Sequence, residues 1–165
     1  MRSKTLRIAL MAMFCALSAV GAQIKIMGSI AFDSLPAFLA AMLLGGPEGA
    51  IVGAAGHLLS AGLAGFPYTL PMHLAIAAEM ALICLLTGWL VTRRGCPVWL
   101  SAIIAFVLNA FVSPLIVVVW PGFGWGAFLP LLLPLIPASA ANVAGAAMLA
   151  YALKRPLYSI AGARK

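Results

Sequence analysis

The residues able to do chemistry in this sequence are few, and most of them fall in one stretch. From Gly65 to Glu79 the chain reads Gly-Phe-Pro-Tyr-Thr-Leu-Pro-Met-His-Leu-Ala-Ile-Ala-Ala-Glu. Gly65, Pro67 and Pro71 make a turn. Tyr68 offers a ring face and a hydroxyl, His73 two ring nitrogens, and Glu79 a carboxyl about two helical turns further on, inside an apolar run. An ionised group at mid-membrane costs about 2.5–3.5 kcal/mol even on lenient insertion scales. That cost has to be offset by a hydrogen-bonding ligand, by a partner such as His73 or Asn109, or by protonation. With Gln23, Asp33, Thr69 and Asn109, these residues put a few polar groups among apolar and aromatic ones, the make-up of a small-molecule site. The plainer reading is a neutral Glu79 in a structural helix–helix hydrogen bond.

Catalysis finds little support. The sequence has no G-x-S-x-G, H-E-x-x-H or P-loop pattern. Asp33 is its only aspartate, so chemistry that needs a pair of aspartates is excluded. Cys15, Cys84 and Cys96 are far apart and form no C-x-x-C, which gives neither a zinc nor a redox signature and reads as small buried apolar residues. No cofactor or metal site is expected. His57 stands alone in an apolar segment, with Ser60 one turn on to share its hydrogen bonding. It is either a functional group or a buried histidine satisfied by a neighbouring helix. An intramembrane enzyme using His57 or His73 with Glu79 stays open as an alternative, as does a membrane scaffold subunit.

The elements that must position these residues follow from composition. Of the 165 residues, 65% are hydrophobic and 8% charged; soluble domains carry about 25% charged residues. The apolar blocks are continuous rather than alternating, so an all-α integral membrane protein is expected, not a β-barrel. Six transmembrane helices are expected over 5–24, 30–44, 48–63, 71–91, 98–120 and 127–153 of a single membrane domain. The net charge of +7 is spread as short punctuation between apolar blocks, not as a patch with interleaved aromatics, which argues against nucleic acid. With both termini cytoplasmic, every basic residue except Lys25 falls on the inner side. Phe66, Tyr68, Trp120 and Trp125 then lie at the outer interface. The basic, apolar N-terminus has the look of a signal peptide, but its run is long and topology needs it, so it is kept as a mature helix. Asp33 before Pro36 suits an N-cap for the second helix. With Pro130, Pro134 and Pro137 in it, the outer half of the sixth should be kinked or irregular. Ala9, Ala12, Ala16 and Ala19 share one face of the first helix, where small residues allow close approach by another helix, inside the bundle or in a partner.

Two motifs bring a family into view. Ala12-x-x-x-Ala16 resembles the A-x-x-x-A motif of the substrate-binding S components of energy-coupling factor (ECF) vitamin transporters, and Leu-Leu-Gly-Gly-Pro-Glu-Gly-Ala-Ile-Val-Gly at 43–53 is similar to that family's glycine-proline turn between helices 2 and 3. The likeness covers the whole chain. It departs at His57, where many members carry an acid. The resemblance implies a subunit that binds a vitamin or vitamin precursor in an outward pocket built mainly by helices 4 to 6 and the outer loops. Tyr68, His73, Glu79, Asn109 and Trp125 become substrate-binding candidates, and the loop around Gly28 a lid. Ala9, Ala12, Ala16 and Ala19 become a docking face for the transmembrane T component. Two ATP-binding subunits drive transport through that component by toppling the S component in the membrane, and the sequence here has no Walker motif of its own. The segment around Tyr68 and His73 is similar to members for cobalamin precursors, notably α-ribazole; thiamine, riboflavin and pantothenate are the other substrates considered. A multi-pass protein of the bacterial cell membrane is expected.

Overall fold

A computed structural model of the chain describes residues 4–27 and 30–161. Its helices are α1 (Lys4–Gly21), α2 (Leu35–Leu44), α3 (Gly46–Leu63), α4 (Leu70–Thr92), α5 (Val98–Val118) and α6 (Phe128–Ala161). Two short strands, β1 (Lys25–Met27) and β2 (Ile30–Ala31), pair antiparallel between α1 and α2, and a 3₁₀ turn at Trp125–Ala127 leads into α6. The expected architecture of six helices is thus present. Four of them, α1, α4, α5 and the segment Trp125–Leu153, are long and apolar enough to cross a membrane.

The second helix departs from expectation. It starts at Leu35, not near residue 30, because the preceding chain is spent on the strand pair and a turn. Its 10 residues span about 15 Å, half of a hydrocarbon core of about 30 Å. So short a helix stays apolar by burial inside the bundle: every residue from Pro36 to Met42 is buried, in contact with α1, α3, α4 and α6. Asp33 is not its N-cap. Ser34 holds that position without a side-chain cap bond, and the first helical amide, Leu35 N–H, donates instead to Asn142 Oδ1 of α6 at 2.9 Å.

α6 runs through Pro130, Pro134 and Pro137 as one continuous helix, so the irregularity expected there does not interrupt it. Pro130 sits in the first turn, where an amide has no intrahelical partner to lose. α5 likewise accommodates Pro114 in its interior.

Close approach of α2, α3 and α4 depends on glycine. A Cβ on Gly46 would stand 2.6 Å from the Leu85 carbonyl oxygen, and one on Gly53 3.0 Å from both Cys84 Sγ and the Met80 carbonyl oxygen. Gly49 faces Ala41, and Gly88 faces the backbone of Gly46. Phe38, Val52, Met72 and Cys84 are fully enclosed in the core that results.

The bundle has two unlike ends. At one, Arg7 pairs with Glu48 and donates to the Leu44 carbonyl at 3.3 Å, while Arg94 lies over the Trp89 ring at 4.8 Å. The other end carries the strand pair, the α3–α4 turn and the α5–α6 turn. The expected lid residue, Gly28, lies outside the described residues.

Candidate functional site

Three helices each bring a pair of polar residues to one face at helical spacing: His57 and Ser60 on α3, Asn109 and Ser113 on α5, Ser139 and Asn142 on α6. All six line a cavity of about 430 Å³ at the end of the bundle away from the arginines. Asp33 and Tyr68 close it from the loops, and His73, Ile76 and Met80 from α4. Ligand pockets run from about 300 to 1,000 Å³, so the space suits one small molecule. Pro114, Pro130 and Pro134 form part of its wall.

The ring cluster is built by the turn after α3. Gly65 (φ 74°) and Phe66 (φ 50°) both adopt left-handed backbone, and the Phe66 amide donates to the Ala61 carbonyl at 2.8 Å. A side chain in that conformation costs about 1–2 kcal/mol. Phe66 gains contact with His73, ring centre to ring centre 5.6 Å. Tyr68 lies 5.8 Å from His73 and meets Phe123 edge-on at 5.6 Å, joining the α3–α4 turn to the α5–α6 turn. Burial pushes the Tyr68 hydroxyl above its ordinary value, which keeps it neutral and able both to donate and to accept.

Hydrogen bonds fix most of the remaining groups. His57 Nε2 and His73 Nδ1 are 3.2 Å apart, one donating to the other. Asn109 Nδ2 donates to Ser139 Oγ at 3.0 Å, and Asn142 Nδ2 to the Ala138 carbonyl at 3.0 Å. Asp33, in the turn before α2, is a half-buried carboxyl: desolvation raises its pKa, and its contacts with Ser60 and with the amides of Asp33 and Ser34 pull the other way. His57 thus has His73 as its hydrogen-bond partner.

Of the residues singled out in the sequence, Tyr68, His73 and Asn109 come together in the cavity wall. Glu79 is buried but stands behind the wall, where Ser113 Oγ bridges its Oε1 at 2.8 Å and its Oε2 at 3.0 Å. The partner is thus Ser113 of α5 rather than His73 or Asn109, a helix–helix hydrogen bond of the kind the plainer reading expected. Trp125 does not line the cavity; it is 72% exposed and packs on Phe128 at 6.2 Å. Asp33, grouped with the polar site residues in the sequence, does line the wall, whereas Ser139 and Asn142 were missed as wall residues. Their signal was present in the spacing of Ser139 and Asn142, three apart and mid-helix. On α1, Ala9, Ala12 and Ala16 face outward and Ala19 is half-buried, while Phe14, Ser18 and Gly21 face the bundle.

Apolar helices of membrane-spanning length, hollowed at one end by a cavity with a few fixed polar groups, define a membrane protein that binds a small molecule. The family model for the ECF transporter substrate-specific component matches residues 6–154, and the chain belongs to that family. It is accordingly a multi-pass, substrate-binding subunit of an ECF transporter, one that works with the T and ATPase components of the ECF module. No curated protein and no solved structure matches the chain.

Proposed function

We propose that this chain is the high-affinity binding subunit of an importer for a vitamin or vitamin precursor in the bacterial cell membrane, with both termini in the cytoplasm. The observation that carries this reading is the cavity: one molecule-sized hollow whose wall joins a ring cluster to hydrogen-bonding groups from α3, α4, α5 and α6. Tyr68, His73 and Asn109 contact the ligand. Glu79 acts through Ser113, and Trp125 belongs to the membrane surface near the cavity mouth. The best single substrate is α-ribazole or another cobalamin precursor, a flat base on a ribose: the rings suit the base and the amides and hydroxyls suit the sugar. Thiamine, riboflavin and pantothenate follow.

Ala9, Ala12, Ala16 and Ala19 form the docking face for the T component. The outward alanines of α1, flanked by Met13 and Leu17 at 46% exposure each, support that role over packing inside the bundle. Transport follows when the two ATP-binding subunits, acting through the T component, reorient the loaded subunit.

The test is a titration of the purified chain with these vitamins and precursors, followed by tryptophan fluorescence, together with uptake in cells. One compound should bind at micromolar concentration or below, and deletion of the gene should abolish its uptake. Normal uptake of every vitamin in the deletion strain would favour a scaffold role and end the transport reading.

A further inference from the structure

The cavity has a sign. Among the described residues that line it there is one carboxyl, Asp33, and no lysine or arginine. The described basic side chains of Arg7, Arg93 and Arg94 belong to the opposite end, around Glu48 and Trp89. The two histidines share one hydrogen at 3.2 Å. That contact needs one ring to accept, and two imidazolium rings would both be donors. The pair therefore carries at most one positive charge, no more than the single carboxylate of Asp33 offsets. His73 is 4% exposed, and its Nε2 is buried with no partner. A buried ring nitrogen without a hydrogen bond costs free energy that a ligand group in the cavity can recover.

A carboxylate or phosphate entering this space would give up its water and meet Asp33, with no lysine or arginine among the wall residues described and at most one imidazolium, whose charge Asp33 already offsets. Burying an unpaired charge is among the costliest steps available to a ligand. A ring compound with hydrogens to donate has the opposite experience. It can satisfy Asp33, give or take a hydrogen bond at His73 Nε2, and lay its face against Tyr68.

Resting on the transport-subunit reading, we propose that the cavity admits only ligands without net negative charge: planar ring compounds, uncharged or cationic, that donate a hydrogen bond to Asp33. Phosphorylated forms of the substrate are then excluded, so a phosphatase-type reaction must precede uptake wherever the outside source is a phosphate ester, and a kinase-type reaction must follow uptake wherever the cell needs one.

The experiment titrates the full-length chain with matched probes that differ by one phosphate: α-ribazole and its 5′-phosphate, thiamine and thiamine monophosphate, riboflavin and riboflavin 5′-phosphate. Pantothenate serves as a carboxylate probe. Within the pair that binds, the unphosphorylated compound should bind about 100-fold more tightly or better, the effect of an uncompensated like charge. Pantothenate should not bind. In Asp33→Asn the preference should shrink to about tenfold or less, because the repulsion is gone and the donor contact is weaker. Arg93→Ala, at the opposite end of the bundle, should leave the preference unchanged. A phosphate ester or pantothenate as the tightest ligand overturns the charge rule and leaves the transport reading intact, as does a preference in Asp33→Asn equal to that of the unmodified chain. Silence from every probe counts against both. The unmodified chain alone decides between charge classes, so a variant that fails to fold does not remove the test.

Discussion

Glu79 illustrates how a side chain can matter to a site that it does not line. Its carboxyl is buried in the middle of α4, makes no ion pair among the described residues, and holds the Ser113 hydroxyl with both oxygens. Ser113 lines the cavity and Glu79 does not. The carboxyl thus fixes which way the Ser113 oxygen presents its lone pairs to a ligand. Glu79→Gln keeps a carbonyl acceptor in place, and the ligand affinity should stay within about threefold of the unmodified chain. Glu79→Leu leaves the hydroxyl without its partner, an expense of about 1–3 kcal/mol, and affinity should fall about tenfold with the fold retained. Fluorescence titration reads the first quantity and thermal unfolding in detergent the second. A loss of a hundredfold or more in Glu79→Gln would mean that the carboxylate touches the ligand itself. Tyr68→Ala should be worse than either, since it removes a ring face and unties the two turns that meet at Phe123; a drop in affinity beyond tenfold is expected from the same titration.

At the scale of the elements, glycine sets how near the helices come. A methyl group on Gly88 would strike the backbone of Gly46 and Gly45, which cannot yield as a flexible side chain would. Gly88→Ala should therefore destabilise the bundle by about 1–3 kcal/mol, read as a lowered unfolding temperature. Gly126→Ala meets nothing within 4 Å and should unfold with the unmodified chain. Equal unfolding temperatures for the two variants would mean that α3 and α4 can part at little expense. The same local chemistry explains what could be read from the sequence. The starts and ends of α3, α4 and α5 were legible, because Gly45, Gly65, Pro67, Pro71 and Pro97 announce them in the chain itself. The start of α2 was not, because its length is decided by burial from all sides rather than by a cap, and its first amide is satisfied by Asn142 from a distant helix. The prolines of α6 suggested a kinked or irregular half; the helix stays continuous because proline removes single hydrogen bonds and leaves the rest of the ladder in place. The site divides in the same way. Helical spacing showed that Asn109 and Ser113 share a face; it could not show that Glu79 meets Ser113 or that His57 meets His73, since those pairings depend on which helices are neighbours.

At the scale of the whole molecule, the surfaces proposed for ligand and partner do not overlap. The cavity is walled by α3, α4, α5, α6, Ala37 of α2 and the turn before α2, while the outward alanines lie on α1, which packs through its other face on α2 and α3. Binding and coupling should therefore separate under mutation. Ala12→Leu and Ala16→Leu put a branched side chain where a partner helix would need close approach, without touching the buried face of Phe14, Ser18 and Gly21. Each variant should bind the ligand with the affinity of the unmodified chain. Each should also fail to co-purify with the T component, and uptake in cells should drop to about a tenth or less, as expected when a small-residue helix contact is lost. Leucine at Ile8, already a large side chain at 61% exposure on the same helix, is the control and should leave uptake intact. A weakened ligand affinity in Ala12→Leu would show that α1 shapes the cavity after all. Full uptake with leucine at both alanines would remove this face from the interface and direct the search to the basic end, where Arg7, Glu48, Arg93 and Trp89 stand together.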